Sequence, residues 1–385
     1  MTDSDPDLLP EGLEDRLPRT SAAATRVLRT IADVLQSHGY DCVAPPLIEF
    51  ERSFAARMAG ISSRRMVRFV DPASLRMMAL RSDITPQIGR IAETRLAHAP
   101  RPLRLSYAGE VVTIKGDGLD PARQRSQCGA EIIGADTVAA ASEVVSVAIE
   151  ALSAAGARGI SVDFTMPDLV DTLAAKALPL APGFYKGLPR IDAVRRELDT
   201  KDAGGLVDAG GAAYVPLLYA TGEFETAIER LNAIDVKMDQ GGGALASRIT
   251  ALREIAARVG STARITLDPS ERHGFEYQSW FGFMLYADGV RGSLGRGGTY
   301  TIANSGAEAG EVATGFSLYP DALIAQLAET EAAGDLMFLP LGHDRDAAAR
   351  LRAIGWRTVA ALAAADDARA LGCTHRLAGG EPVGL

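Results

Sequence analysis

Two short stretches place ionisable and hydrogen-bonding side chains at spacings that serve chemistry better than they serve packing. In the first, "MALRSDITPQIGRI", Arg81, Ser82, Asp83 and Thr85 lie between an apolar run and an apolar-periodic segment that begins at Ile84. Ser82 or Asp83 would cap a helix starting there, with Thr85 and Pro86 in its first turn, where the missing N–H of proline costs nothing. The cap explains the aspartate but not Arg81, which alternates with apolar residues and would point into a sheet. Asp83 and Thr85 could equally accept hydrogen bonds from an ammonium group and so hold a zwitterion.

In the second stretch, "RQRSQCGAEIIG", the two-residue period puts Gln127, Gly129 and Glu131 on one face of a strand and Cys128, Ala130 and Ile132 on the other. The polar face is either solvated, the commoner state of such residues, or the floor of a pocket in which Gly129 leaves room and two polar groups read a ligand. "ERHGFEYQSWFGF" adds Arg272, His273, Glu276 and Tyr277 before an aromatic run, and "KGDGLDPARQR" (115–125) suits a functional loop as well as a plain hairpin.

Other chemistries lack their residues. His38, His98, His343 and His375 are scattered, and Cys42, Cys128 and Cys373 stand alone, so neither a metal site nor a disulfide framework is expected. "GSLGRGGTY" is not G-x-x-x-x-G-K-[ST] and opens no helix, which argues against a phosphate-binding loop. No G-x-S-x-G or Cys/His signature supports covalent catalysis. No cofactor is expected. The net charge of -9 over 385 residues speaks against nucleic acid as a partner. The opening "MTDSDPDLLPEGLEDRLP" has no basic segment followed by an apolar one, and no run of about 18 uncharged apolar residues occurs. A cytoplasmic protein with no membrane partner is the expectation.

These side chains need elements to hold them. Apolar residues recur at helical spacing from Ser21 to His38, and helices are also expected over 84–97 and 135–157. Between them "CVAPPLIEF", "MVRFV", "LRMMALR", "PLRLSYAGEVVTI" and "SQCGAEIIG" read as strands of antiparallel character, so the fold class is α+β. Residues 165–258 read as a helical insertion whose helices are joined by glycine-rich turns such as Gly204-Gly205. Strands resume at "ARITLDP", "GFEYQSWFGFMLYADG" and "EVATGFSLY", completing the first sheet. Residues 333–385 alternate strand, helix, strand, helix, strand as a small α/β appendage to a domain of residues 1–332.

In this order the pieces resemble the class II aminoacyl-tRNA synthetases, specifically the histidyl-tRNA synthetase family, over residues 8 to about 330. "LLPEGLEDRLP" resembles that family's opening and "CVAPPLIEF" its first motif. "LRSDIT" is similar to its L-R-P-E-G-T, "LSYAGEVVTI" to its motif 2 strand, and "QRSQCGAEIIG" to its Q-F-H-Q-x-G-x-E-x-x-G. "HGFEYQ" is similar to its R-G-L-D-Y-Y, "GGTY" to its G-G-R-Y-D, and "TGFSLYPDAL" to the end of motif 3. The resemblance implies an antiparallel sheet flanked by helices. It also implies that Asp83 and Thr85 bind the α-amino group of histidine, that Gln127, Glu131 and Tyr277 line its pocket, and that His273 falls where the family has its catalytic arginine.

The departures matter as much. Thr113 stands where motif 2 has its arginine, Ala322 where motif 3 has its own, and Gln278 where the histidine motif has a second tyrosine. The tail of about 50 residues is shorter than the family's anticodon-binding domain. A synthetase-like dimer that holds histidine without activating it resembles the paralogues that serve as regulatory subunits of ATP phosphoribosyltransferase. That resemblance implies a non-catalytic chain, required for the activity of a short-form ATP phosphoribosyltransferase catalytic subunit. It further implies a homodimer within a hetero-octamer, and histidine as the feedback effector. The alternative is a divergent amino-acid-activating enzyme of the histidyl-tRNA synthetase type.

Overall fold

Alternation along the strand Gln124–Ile133 sets the layering of the molecule: Cys128, Ala130 and Ile132 enter a hydrophobic core on one side, and Gln127 and Glu131 face the other. The computed structural model describes residues 8–55, 66–116, 120–238, 243–272, 278–303, 310–330 and 334–385. Its contacts divide the chain into two units, Met1–Ala328 and Glu329–Leu385.

The first unit is built on a nine-stranded sheet. Its order is Asp41–Cys42, Leu103–Val112, Gln124–Ile133, Glu311–Leu318, Gly295–Ile302, Gln278–Tyr286, Ser161–Thr165, Arg264–Asp268 and Gly222–Glu223. The run from Leu103–Val112 to Ser161–Thr165 is antiparallel throughout. One face is covered by the helices Pro18–Ser37 and Val138–Ala154. The first buries Ala23, Ala24, Val27, Ile31 and Leu35, one stripe of an amphipathic helix, and the chain turns out of it at Gly39, whose φ of 78° suits glycine. The second starts at Thr137, whose side chain accepts from the Ala140 N–H. On the other face Ile84 and Ile88 pack against Leu105, Tyr107 and Val111, seating the helix Thr85–Thr94 over the polar side of the sheet. The architecture is α+β, as expected.

Between the strands Ser161–Thr165 and Arg264–Asp268 the chain forms helices whose Leu173, Val194, Leu198, Leu217, Leu231 and Leu252 join the same core. Gly204-Gly205, expected as a turn, instead lies in the helix Ala203–Asp208. Asp202 caps it by accepting from the Gly205 N–H at 2.9 Å, and the cap outweighs the poor helix propensity of glycine.

The second unit is a four-stranded sheet in the order Arg357–Ala360, Leu336–Leu339, His375–Ala378, Glu381–Gly384, with the helix Arg345–Ala353. The second helix expected in the 333–385 appendage does not form. Asp366 accepts from the N–H groups of Leu362 and Ala363, and Asp367 from that of Ala370, which fixes turns in place of a helix. The chain then closes with the hairpin of the last two strands. Among the described residues no helix is long and apolar enough to cross a membrane.

Phe164 is fully buried at the centre of this core, edge-on to Phe281 at 5.3 Å and Phe224 at 6.0 Å. Phe164→Ala is expected to cost about 3–5 kcal/mol in urea denaturation, the range for deleting a buried aromatic ring. A cost below about 1 kcal/mol would mean that sheet and helical segment do not share one core.

Candidate functional site

Arg81 follows the strand Met77–Leu80 and is buried. Its Nε donates to the Glu110 carbonyl at 2.8 Å and its Nη1 to the Pro45 carbonyl at 2.9 Å, while its backbone bonds Leu47 and Val112. The guanidinium is therefore a tie between three chain segments, satisfied by carbonyls as a buried charge must be. Gly109 makes the space for it, since a Cβ there would overlap the guanidinium.

The helix that follows is capped differently from expectation. Its N-cap is Ile84, with no side-chain cap of its own. Gln127 supplies the missing acceptor from the neighbouring strand, its Oε1 taking the Ile84 N–H at 2.9 Å. Asp83 Oδ1 accepts from the Thr85 N–H at 2.9 Å and from Gln127 Nε2 at 2.9 Å. Asp83 thus serves the first helical residue and the strand at once.

Gln127 and Glu131 are 0% and 1% exposed, so their face of the strand is not solvated. Gln127 Nε2 also donates to Ser317 Oγ at 2.8 Å. The Tyr107 hydroxyl lies 2.9 Å from Ser317 Oγ and 3.2 Å from Thr85 Oγ1, and contacts Glu131 Oε1 at 3.2 Å. Tyr300 donates to Glu131 Oε2 at 2.8 Å. The space expected over Gly129 for a ligand is taken by Tyr107: a Cβ on Gly129 would collide with its phenol and with the Phe316 carbonyl.

The open space lies one strand further on. Glu131 is paired with Gly315, Gly315 with Gly298, Gly298 with Gly282, and Gly282 with Thr165. Directly paired residues share a face, so three successive strands present no side chain between Glu131 and Thr165. Thr165 is fully buried, and its Oγ1 has no hydrogen-bond partner among the described residues. A small cavity of ≈ 20 Å³ is lined by Thr85, Glu131, Arg296, Gly298, Tyr300 and Ser317, among others. His273 and Tyr277 lie outside the described residues. Arg272, just before them, donates to Asp199 at 2.6 Å.

Burial pushes the Glu131 carboxyl up to about 8, and the nearby charge of Asp83 adds to the shift, against the opposing hydrogen bonds from Tyr300 and Tyr107. Burial likewise raises the Tyr107 phenol well above its ordinary value, with Glu131 contributing. Burial therefore favours the protonated form of Glu131.

The profile of the family described as "Histidyl-tRNA synthetase" matches residues 12–323. A protein of Rhodospirillum centenum named "ATP phosphoribosyltransferase regulatory subunit" is 40% identical over 380 residues, 97% of this chain and 95% of its own. One of the same name from Paramagnetospirillum magneticum is 40% identical over 378 residues, 96% of each. The chain belongs to the family of ATP phosphoribosyltransferase regulatory subunits. Its fold is that of a Bacillus halodurans C structure titled an ATP phosphoribosyltransferase regulatory subunit/histidyl-tRNA synthetase. That structure matches at a TM-score of 0.80 and 21% identity, over 97% of both chains.

For this regulatory-subunit family member, the structure brings together Asp83, Thr85, Gln127 and Glu131 of the expected residues. Sequence reasoning missed Tyr107, Tyr300, Ser317 and Arg296. The signal for Tyr300 was present in "GRGGTY", two residues beyond Gly298 and hence on the same strand face. Tyr107 and Ser317 carried no such signal, because their meeting depends on sheet order.

A carboxyl that keeps its proton on folding costs nothing below its unfolded value near 4.5. It lowers stability progressively as pH rises towards about 8, beyond which the loss is complete. Wild-type stability in urea should therefore fall between pH 5.5 and about 8.5 more steeply than that of Glu131→Gln. Parallel pH profiles for the two proteins would show that Glu131 ionises normally in the fold.

Proposed function

We propose that the chain is a non-catalytic regulatory subunit that assembles with a short-form ATP phosphoribosyltransferase catalytic subunit, is required for its activity, and conveys feedback inhibition by histidine. The observation that carries this reading is a polar pocket kept without the cations that activation needs. Asp83, Thr85, Gln127 and Glu131 remain together, which suits an ammonium and a polar ring. At the positions where the resembling synthetases carry arginines, Thr113 donates its hydroxyl to the Lys115 carbonyl and Ala322 has nothing to donate. Arg272 is engaged by Asp199. Each positioned donor to a charged transition state is worth about 10²–10³ in rate, so a chain lacking several would not form an adenylate at a useful rate.

The proposed assembly is a homodimer within a hetero-octamer. A small sheet of the strands Ile48–Phe50, Met77–Leu80 and Arg68–Val70 supports the dimer. Ile48, Phe50, Phe69, Met78 and Leu80 share one of its faces, with Ile48 and Phe69 each 37% exposed and the others half-buried. A contiguous apolar face of this kind usually marks an interface. The proposed compartment is the cytoplasm, and neither nucleic acid nor a membrane is a proposed partner.

The test is the rate of phosphoribosyl-ATP formation by the short catalytic subunit, with and without this chain and with and without histidine. The chain should raise the rate. Histidine should then lower it with a coupling of about 1–3 kcal/mol, roughly 5–150-fold in effective affinity. An unchanged rate, with the two chains eluting separately in gel filtration, would contradict the proposal.

A further inference from the structure

The cavity that contains Glu131 also has a cationic wall, which the motifs did not point to. Arg296 lies two residues before Gly298 and four before Tyr300 on the strand Gly295–Ile302, so all three positions lie on the same face, from which Arg296 and Tyr300 project. Across the sheet Arg296 is paired with Ser317, whose hydroxyl bonds Gln127 and Tyr107. The register therefore sets Arg296 and Ser317 along one wall of the glycine trough, while Glu131 closes its end two strands away, roughly 12 Å between Cα atoms at ordinary sheet spacing. The guanidinium is held over the Tyr319 ring, 5.3 Å from its centroid, and one nitrogen donates to the Tyr319 hydroxyl at 3.1 Å. An arginine fixed in this way has its planar fork orientated before a ligand arrives, so little rotamer entropy remains to be lost on binding.

The cavity is thus dipolar. Glu131 supplies its acidic end, Arg296 its basic wall, and Thr85, Tyr300 and Ser317 the neutral hydrogen-bonding groups between them. A simple anion such as phosphate would engage Arg296 but nothing at Glu131, and a simple amine would engage Glu131 but not Arg296. A molecule carrying both an ammonium and a carboxylate satisfies both ends. We infer that Arg296 recognises the carboxylate of a zwitterionic α-amino acid bound in this cavity. The inference rests on the pocket reading above and adds the residue that would make it selective for an intact amino acid.

Calorimetric titration of histidine and of histidinol, which lacks the carboxylate, into wild type, Arg296→Gln and Arg296→Lys tests it. Wild type should bind histidine at least about tenfold more tightly than histidinol. Arg296→Gln should lower histidine affinity by about 10–100-fold, the worth of a charge-assisted hydrogen bond, and leave histidinol within about twofold. Arg296→Lys should recover part of the loss. Because histidinol binding reports an intact pocket, an equal loss for both ligands would overturn the recognition role and make Arg296 a structural prop to Tyr319. Equal affinities of wild type for the two ligands would overturn it as well, while leaving the pocket in place. Binding of neither ligand to wild type would overturn both the pocket and the inference.

Discussion

Glu131 lies inside the sheet because Gly315, opposite it on the next strand, has no side chain: a Cβ on Gly315 would overlap the Glu131 carboxylate. Much else depends on that one accommodation. A buried carboxyl must have its oxygens satisfied, and Tyr107 and Tyr300 do so from two different strands. Tyr107 in turn needs the room that Gly129 leaves, and its hydroxyl ties Thr85 at the start of a helix to Ser317 at the end of a strand. Gln127 completes the circuit by capping that helix through Ile84 and by orientating Asp83. Polar groups this interdependent are stable only as a complete set, which makes the site stiff before any ligand is present.

The same accommodation explains the trough. Once Glu131 leans over Gly315, glycines at 298 and 282 continue the row to Thr165 without a side chain of their own. Side chains on those strands would fill the space as an ordinary sheet face does. The other side of the sheet shows the contrast: there Cys128, Ala130 and Ile132 meet two helices and close a continuous apolar core. One strand therefore carries both the stability of the fold and the chemistry of the site, separated only by the alternation of its side chains.

Much of this was legible in the sequence because it is local. The period of two in "QCGAEI" separated polar from apolar faces correctly, and the helix from Thr85 followed from the apolar spacing after Ile84. The α+β class followed from short strands interrupted by few helices. What stayed illegible depends on contacts between distant segments. Arg81 could not be known to bond the carbonyls of Pro45 and Glu110 before those segments were brought beside it. The helix cap fell to Gln127, 43 residues away, and no local rule assigns a cap at that distance. Asp366 and Asp367 misled in the opposite way, since their carboxylates took the backbone amides that a helix would have used.

Membership of the regulatory-subunit family and a synthetase-like fold meet in one physical arrangement: an ordered cluster of acids, hydroxyls and one arginine around a small cavity. On the proposed function, this pocket holds an amino acid and returns it unchanged. The most direct measurement is to saturate the purified chain with histidine and Mg-ATP and to analyse both the bound and the released molecules by mass spectrometry. A pocket that regulates predicts stoichiometric bound histidine with no histidyl-adenylate and no pyrophosphate. Accumulation of adenylate and pyrophosphate would contradict it, as would a chain that retains no histidine at all.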